Sequence, residues 1–154
     1  MCSAVADIEA CIPALRLHAS ALLRDRQDVD DLVRACLARS LEVTRPASDH
    51  EGIRLWLLAI MYGQLASRSW RARLRRAGRQ GGGDGPDALR DLGQLAERQR
   101  AVLLLVTIED LAYAEVARVL GISVTEVMSL LADSRERLRR LGTDAASTER
   151  RRME

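Results

Sequence analysis

The chain has 154 residues, a formal net charge of +2 and no phenylalanine. So small a net charge excludes nucleic-acid binding through a global field, and any such binding needs a local patch of cations. With two Trp and two Tyr, the core has to be built from Leu, Val, Ile and Ala, which suits helix packing better than a sheet. No apolar run reaches the roughly 18 residues of a membrane span, and no signal peptide opens the chain. We therefore expect a cytoplasmic protein with no membrane contact.

Helical periodicity predicts three helices in the first half of the chain. Pro13 suits a first helical position, and four apolar residues follow at helical spacing. Asp28 is a candidate N-cap for the second helix. Residues 43–52 are predicted to form a polar loop, and a long third helix then runs from about Ile53 to Arg79. The predicted inner faces consist of Leu15, Ala19, Leu22 and Leu23, of Val29, Leu32, Val33, Cys36 and Leu37, and of Trp56, Leu57, Ile60 and Met61.

Residues 77–86 are rich in glycine and predict a flexible linker. The linker divides the chain into two small helical domains, at 1–76 and 89–142, joined by 77–88, with a frayed, disordered tail at 143–154. The fold class is therefore all-α. The charge is uneven, since residues 1–79 hold 13 Arg against 9 acids (net +4) and residues 80–154 hold 11 Arg against 13 acids (net −2).

The second domain contains the pattern of a helix-turn-helix. An apolar helix over Leu95–Leu105 is followed by a short helix, a turn at Gly121 and a last helix. Gly121 is predicted to adopt the left-handed conformation that ends a helix. Ser123 and Glu126 form the S-x-x-E pattern of a capping box. The buried face of the last helix is predicted to be Val124, Val127, Met128, Leu131 and Leu138.

The cysteines and histidines indicate neither a metal site nor catalysis. The three cysteines form no CxxC pair, and His18 and His50 are each far from a second ligand. Cys36 lies on an apolar helical stripe, which favours a small buried side chain. The tri-glycine at 81–83 is interpreted as a linker rather than a phosphate loop. We therefore expect no enzyme, no cofactor and no small-molecule substrate.

Short motifs in both domains occur in the order of a known family. They are QRAVLLLV from Gln99, YAEVARVLGI from Tyr113, VMS from Val127 and RERLR from Arg135, with ALLRD from Ala21, DDLV from Asp30 and WLLAI from Trp56. The chain resembles the extracytoplasmic-function sigma factors, small bacterial initiation factors made of regions 2 and 4. The resemblance covers nearly the whole chain.

The resemblance implies which residues meet which partner. Asp30, Asp31, Leu32 and Val33 are expected to dock on the β′ clamp of core RNA polymerase. The third helix, with Arg68, Arg71, Arg75 and Arg76, and the loop before it are expected to contact and melt the downstream promoter element. The last helix is expected to enter the major groove of promoter double-stranded DNA through a predicted reading face, which consists of Thr125, Glu126, Ser129, Leu130, Asp133 and Arg137.

Several positions depart from the family pattern. The family commonly has arginine where this chain has Leu130 and Asp133, and a serine cap where it has Ala112. Arg34 and Ala35 replace a glutamine and an acid, while Tyr62, Gly63 and Ser67 replace Arg, Asn and Asp. Because DNA affinity comes largely from neutralised phosphates, Asp133 in particular predicts weakened DNA binding, and an exposed Leu130 fits a protein surface at least as well.

Three functions follow from these observations. We favour a sigma factor that binds core polymerase and directs promoter-specific initiation in a stress or envelope response, under the control of an anti-sigma factor. The alternative is a sigma mimic that captures an anti-sigma factor without binding promoter DNA. An ordinary helix-turn-helix regulator does not explain the first domain. The arginine run at 68–79 is the best nucleic-acid feature of the chain, although it also fits a solvated helix end.

Overall fold

A computed structural model describes residues 2–23, 25–44, 50–67, 72 and 92–153 of the chain. All regular elements within these ranges are helices, which confirms the all-α class. The chain divides into two compact units, one built on the first three helices and the other on most of the last three. The predicted linker at 77–88 and its boundaries lie outside the described residues and stay a prediction.

The first unit is a three-helix bundle. Helix α1 spans Cys2–Leu22, α2 spans Arg26–Glu42 and α3 spans His50–Leu65, and each packs against the other two. Burying these apolar stripes is the main source of stability, at about 25 cal/mol per Å². The predicted inner faces are confirmed at most positions, and the fully buried side chains include Leu15, Leu32, Cys36, Ile53, Leu57, Leu58 and Met61.

Two buried polar contacts connect the helices of this bundle. Nδ1 of His18 on α1 lies 3.0 Å from the hydroxyl oxygen of Tyr62 on α3, inside the core. The Cys36 thiol on α2 donates to the carbonyl oxygen of Leu57 on α3 at 3.3 Å. Because an unmade polar contact in a core is costly, both contacts specify how α3 sits against its neighbours. Tyr62 stands where the family pattern has arginine, and here it is a core residue.

The ends of these helices differ from the sequence prediction. Pro13 lies inside α1 with its ring exposed, rather than at a helix start. The N-cap of α2 is Asp25, whose carboxylate accepts from the backbone N–H groups of Gln27 and Asp28 at 2.7 and 3.3 Å. Helix α3 begins at His50 and ends at Leu65, so its helical geometry does not run unbroken into the arginine run.

The second unit contains the helix-turn-helix. Helix α4 spans Glu97–Thr107, α5 spans Tyr113–Leu120 and α6 spans Val124–Met153, and α4 packs along α6. Ser134 is buried on α6, where its hydroxyl lies 3.3 Å from the carbonyl oxygen of Gln99. The apolar core of this unit includes Ala101, Val102, Leu104, Leu105, Val116, Val127 and Leu131.

The turn between α5 and α6 forms as the sequence predicts. Gly121 has a φ of 66°, and the N–H of Ile122 donates to the carbonyl oxygen of Ala117 at 3.1 Å, which is the bond that closes a Schellman motif. Only half of the predicted capping box is present. The hydroxyl of Ser123 accepts from the N–H of Glu126 at 3.1 Å, whereas the Glu126 carboxylate bonds elsewhere.

The faces of α6 are set differently from the prediction. Val124 and Met128 are 42% and 54% exposed, so their predicted burial is wrong. They lie at the edge of the apolar stripe, on the side that α4 does not cover. Helix α6 also continues to Met153, past the point at 143 where the sequence predicts a disordered tail.

Candidate protein and nucleic-acid interfaces

Two of the four predicted polymerase-binding residues are core residues. Leu32 and Val33 are 0% and 4% exposed, because they lie on the stripe of α2 that packs into the bundle. Their side chains therefore cannot meet a partner, and the prediction is corrected for both. Asp30 and Asp31 are half-buried at the surface, and they remain candidates for this role.

The outward carboxylates of α2 are held in a local network. Asp30 pairs with Arg16 of α1 at 2.9 Å. Asp31 accepts from the side-chain amide of Gln27 at 3.0 Å and lies 3.7 Å from a guanidinium nitrogen of Arg34. Exposed pairs of this kind add little to stability. Their effect is to fix a patch of both charge signs on the outer face of α2.

The same outer face of α2 is apolar towards its C-terminus. Leu41 is 84% exposed, and Ala38 is also exposed one turn before it. Arg34, Ala38 and Leu41 follow one another at spacings of four and three residues, so they share a face. A single exposed leucine is common on protein surfaces, but here it adds an apolar side chain to a charged patch, a combination that a protein partner can cover. Leu41 was not among the interface residues predicted from the sequence, although it lies seven residues after Arg34, two helical turns along the same face.

The predicted reading face of α6 is only partly free. Thr125, Ser129 and Asp133 are exposed, while Leu130 is half-buried, which corrects the expectation that it is exposed. The guanidinium of Arg137 donates from Nε to the carbonyl oxygen of Gln94 at 3.1 Å. This part of the face is therefore tied to the segment that leads into α4.

Glu126 is paired within its own unit. Its carboxylate accepts from Nη1 of Arg98 on α4 at 2.8 Å, and the two side chains are 41% and 63% exposed. From Val124 to Asp133, nearly three turns, the helix itself contains no cation. Arg98 of α4 offsets the charge of Glu126, and Asp133 keeps this stretch acidic. Sequence analysis missed Arg98, since no spacing rule connects residues 28 positions apart.

The basic residues further along α6 are also paired. The Glu136 carboxylate accepts from Nε and Nη2 of Arg139 at 3.1 and 2.9 Å and from Nε of Arg140 at 2.9 Å. These hydrogen bonds, from Arg139 first and Arg140 second, lower the pKa of Glu136 to about 2. They also raise the pKa of Arg139. Glu136 is therefore a carboxylate at any physiological pH, with two of the α6 arginines attached to it.

Other predicted features fall outside these surfaces. Arg68, Arg71, Arg75 and Arg76 lie outside the described residues, and their DNA contacts stay a prediction. Within the described ranges, no group of three or more His, Cys, Asp or Glu side chains is placed to hold a metal ion. No described helix is long and apolar enough to cross a membrane.

Comparison with known proteins matches both units. The region 4 model of sigma-70 factors matches residues 89–138, and the model of the sigma2 domain of PhyR matches residues 8–62. No curated protein matches the chain. Together the two models define a class of transcription regulators that are not enzymes. These matches identify the first unit as a sigma2 domain of the PhyR type and the second unit as a sigma-70 region 4, which is the combination found in extracytoplasmic-function sigma factors.

Solved structures share the fold of nearly the whole chain. The sigma factor RpoE of Bartonella quintana, in complex with the anti-sigma factor NepR, is 20% identical with a TM-score of 0.73, over 93% of this chain and 98% of that chain. CnrH, in complex with the cytosolic domain of CnrY, is 26% identical with a TM-score of 0.58, over 86% and 81%. The PhyRSL–NepR complex from Sphingomonas sp. Fr1 gives 21% identity and a TM-score of 0.66, over 87% and 85%.

Proposed function

We propose that this chain is an initiation factor of the extracytoplasmic-function type. In this role it binds core RNA polymerase through region 2, directs it to a promoter and is held inactive by an anti-sigma factor. The observation that carries the proposal is the outer face of α2, where the charged patch around Asp31 and Arg34 continues into the exposed Leu41. This face lies on the helix that the family resemblance assigns to polymerase.

A partner of the anti-sigma class is supported by the neighbours. The structure of RpoE was determined with the anti-sigma factor NepR, and that of PhyRSL was determined with NepR. The likeness to RpoE extends over both units, and it covers nearly all of each chain. We therefore propose an anti-sigma factor of the NepR type as the regulator of this chain.

The second candidate, a sigma mimic, is favoured by a different observation. The first ten residues of α6 contain no cation and include Glu126 and Asp133, which makes them a poor surface for DNA phosphates. The model that matches region 2 is also that of PhyR, a sigma mimic. In this role the chain captures an anti-sigma factor and has no need of promoter DNA.

Binding to polymerase separates the two candidates. Purified full-length chain is mixed with bacterial core RNA polymerase and analysed by size exclusion at moderate salt. The initiation factor co-elutes with polymerase, and Leu41→Glu weakens that complex. Leu17→Glu is the matched control, because Leu17 is an exposed leucine on α1. The circular dichroism spectrum of each variant has to match that of the unchanged chain, which shows that the substitution leaves the fold intact.

If the folded chain gives no complex with polymerase, the proposal of an initiation factor fails. The same preparation is then titrated with a NepR-type anti-sigma factor. Binding to that protein without polymerase binding supports the mimic. Failure of both complexes removes both candidates, since each requires one of the two partners.

A further inference from the structure

We propose that Glu126 and Glu136 act as charge masks, which hold three arginines of region 4 in ion pairs and so keep this unit from binding DNA phosphate tightly. The masking acts on the affinity of region 4 for the DNA backbone alone, and it is expected whether the chain is an initiation factor or a mimic.

The first mask joins two helices. Arg98 lies at the start of α4, where its Nη1 is 2.8 Å from Oε1 of Glu126 on the predicted reading face. Because the pair is largely exposed, it contributes at most about 1 kcal/mol to folding. Its electrostatic consequence is that the charge of Arg98 is neutralised beside that face, while Asp133 keeps its negative charge there.

The second mask acts further along α6. The Glu136 carboxylate accepts three hydrogen bonds from Arg139 and Arg140. Glu136 lies three residues after Asp133, about one turn further along the same helix. Between Val124 and Thr143 the other two arginines of α6 are Arg135 and Arg137, and Arg137 donates to the carbonyl oxygen of Gln94. A carboxylate within a Debye length of about 10 Å repels a phosphate that approaches either arginine.

The size of the effect follows from counterion release. Each phosphate that a cation neutralises steepens the dependence of log K on log salt by about 0.9. Glu126→Gln releases Arg98 for one such contact. The ratio of the DNA affinity of this variant to that of the unchanged chain is then about 3.5 times larger at 50 mM than at 200 mM salt. The factor is the fourfold change in salt concentration raised to the power 0.9. Glu136→Gln releases two arginines, which steepens the slope by about 1.8.

The test is a salt titration of full-length protein against a fluorescent DNA duplex of arbitrary sequence. Glu126→Gln and Glu136→Gln are expected to bind more tightly, with slopes steeper by about 0.9 and about 1.8. Asp133→Asn removes one negative charge from the same helix but releases no arginine from a described ion pair, so its slope is expected to stay that of the unchanged chain. Glu9→Gln is an exposed control in the other unit.

The double variant that lacks both Arg98 and Glu126 tests directly whether the released arginine causes the gain in DNA affinity. The gain from Glu126→Gln is expected to disappear in Arg98→Gln/Glu126→Gln, because the released cation is then absent. Glutamine keeps the length of glutamate but removes its charge and one of its two acceptor oxygens, and circular dichroism verifies the fold of each variant.

Three results overturn the inference. One is an equal change of slope in Asp133→Asn and Glu126→Gln, which means that net charge alone acts. Another is a gain that persists without Arg98. The third is an absence of DNA binding at low salt by both mask variants, which means that region 4 has no latent phosphate surface.

Discussion

Replacing Ala112 with serine should stabilise the first helix of the helix-turn-helix. Ala112 precedes α5, and its carbonyl oxygen accepts from the N–H groups of Glu115 and Val116 at 2.9 and 3.0 Å. Its own N–H donates to Oε2 of Glu115 at 2.9 Å. This is half of a capping box, which lacks only the side-chain oxygen that an N-cap Ser supplies.

The expected gain is about 1 kcal/mol, within the range of 0.5–2 kcal/mol measured for such caps. Ala112 is exposed, so the hydroxyl meets no core. For a unit of 60–100 residues, 1 kcal/mol raises the midpoint of thermal unfolding by about 4–8 °C. Because α5 has only eight residues, the cap acts on a large part of its backbone.

Thermal unfolding of the full chain, followed by far-ultraviolet circular dichroism, measures this gain. Ala114→Ser is the matched control, because Ala114 is exposed on the same helix but is not its cap. That variant should lose up to about 0.5 kcal/mol through the lower helix propensity of serine. If Ala112→Ser changes the midpoint no more favourably than Ala114→Ser, the geometry assigned to this cap is refuted.

Three further predictions concern glycine, cysteine and tyrosine. Gly121→Ala should cost about 1 kcal/mol, because alanine is strained at a φ of 66° although nothing lies within 4 Å of its Cβ. In contrast, Gly142→Ala within α6 should raise the free energy of unfolding by about 1 kcal/mol. If the urea midpoints of the two variants shift in the same direction, the left-handed conformation of Gly121 and the helical conformation of Gly142 are contradicted. Burial raises the pKa of the Cys36 thiol to about 12 from 9.0, so iodoacetamide should label it only after unfolding. Because the folded-state pKa is the higher one, the associated stability is complete below about pH 9 and declines towards pH 12, and this decline should be absent from Cys36→Ala in urea titrations. Tyr62→Phe removes the hydroxyl that meets His18 and should cost about 1–3 kcal/mol; a urea midpoint unchanged from that of the parent chain would show that the contact adds nothing.

The sequence alone determined the features that depend on nearest neighbours and on composition. The helical class, the buried Cys36 and the left-handed turn at Gly121 follow from apolar spacing and from the backbone freedom of glycine. The family was identified from motifs in their order, without any tertiary contact. Each of these features is decided within about one or two helical turns of chain.

Tertiary packing decided the rest, because the relevant neighbours are distant in sequence. Helical spacing groups Val124 and Met128 with Val127 and Leu131, but the line along which α4 crosses α6 decides which of them it covers. In the first unit, Leu32 and Val33 lie in the core, as their helical spacing predicts, although the family resemblance assigns them to a partner. The pairing of Glu126 with Arg98 depends on that same α4–α6 crossing, since an ion pair needs two charges within about 4 Å in space. The chemical character of the predicted reading face was therefore set by the fold, although its position was evident from the sequence.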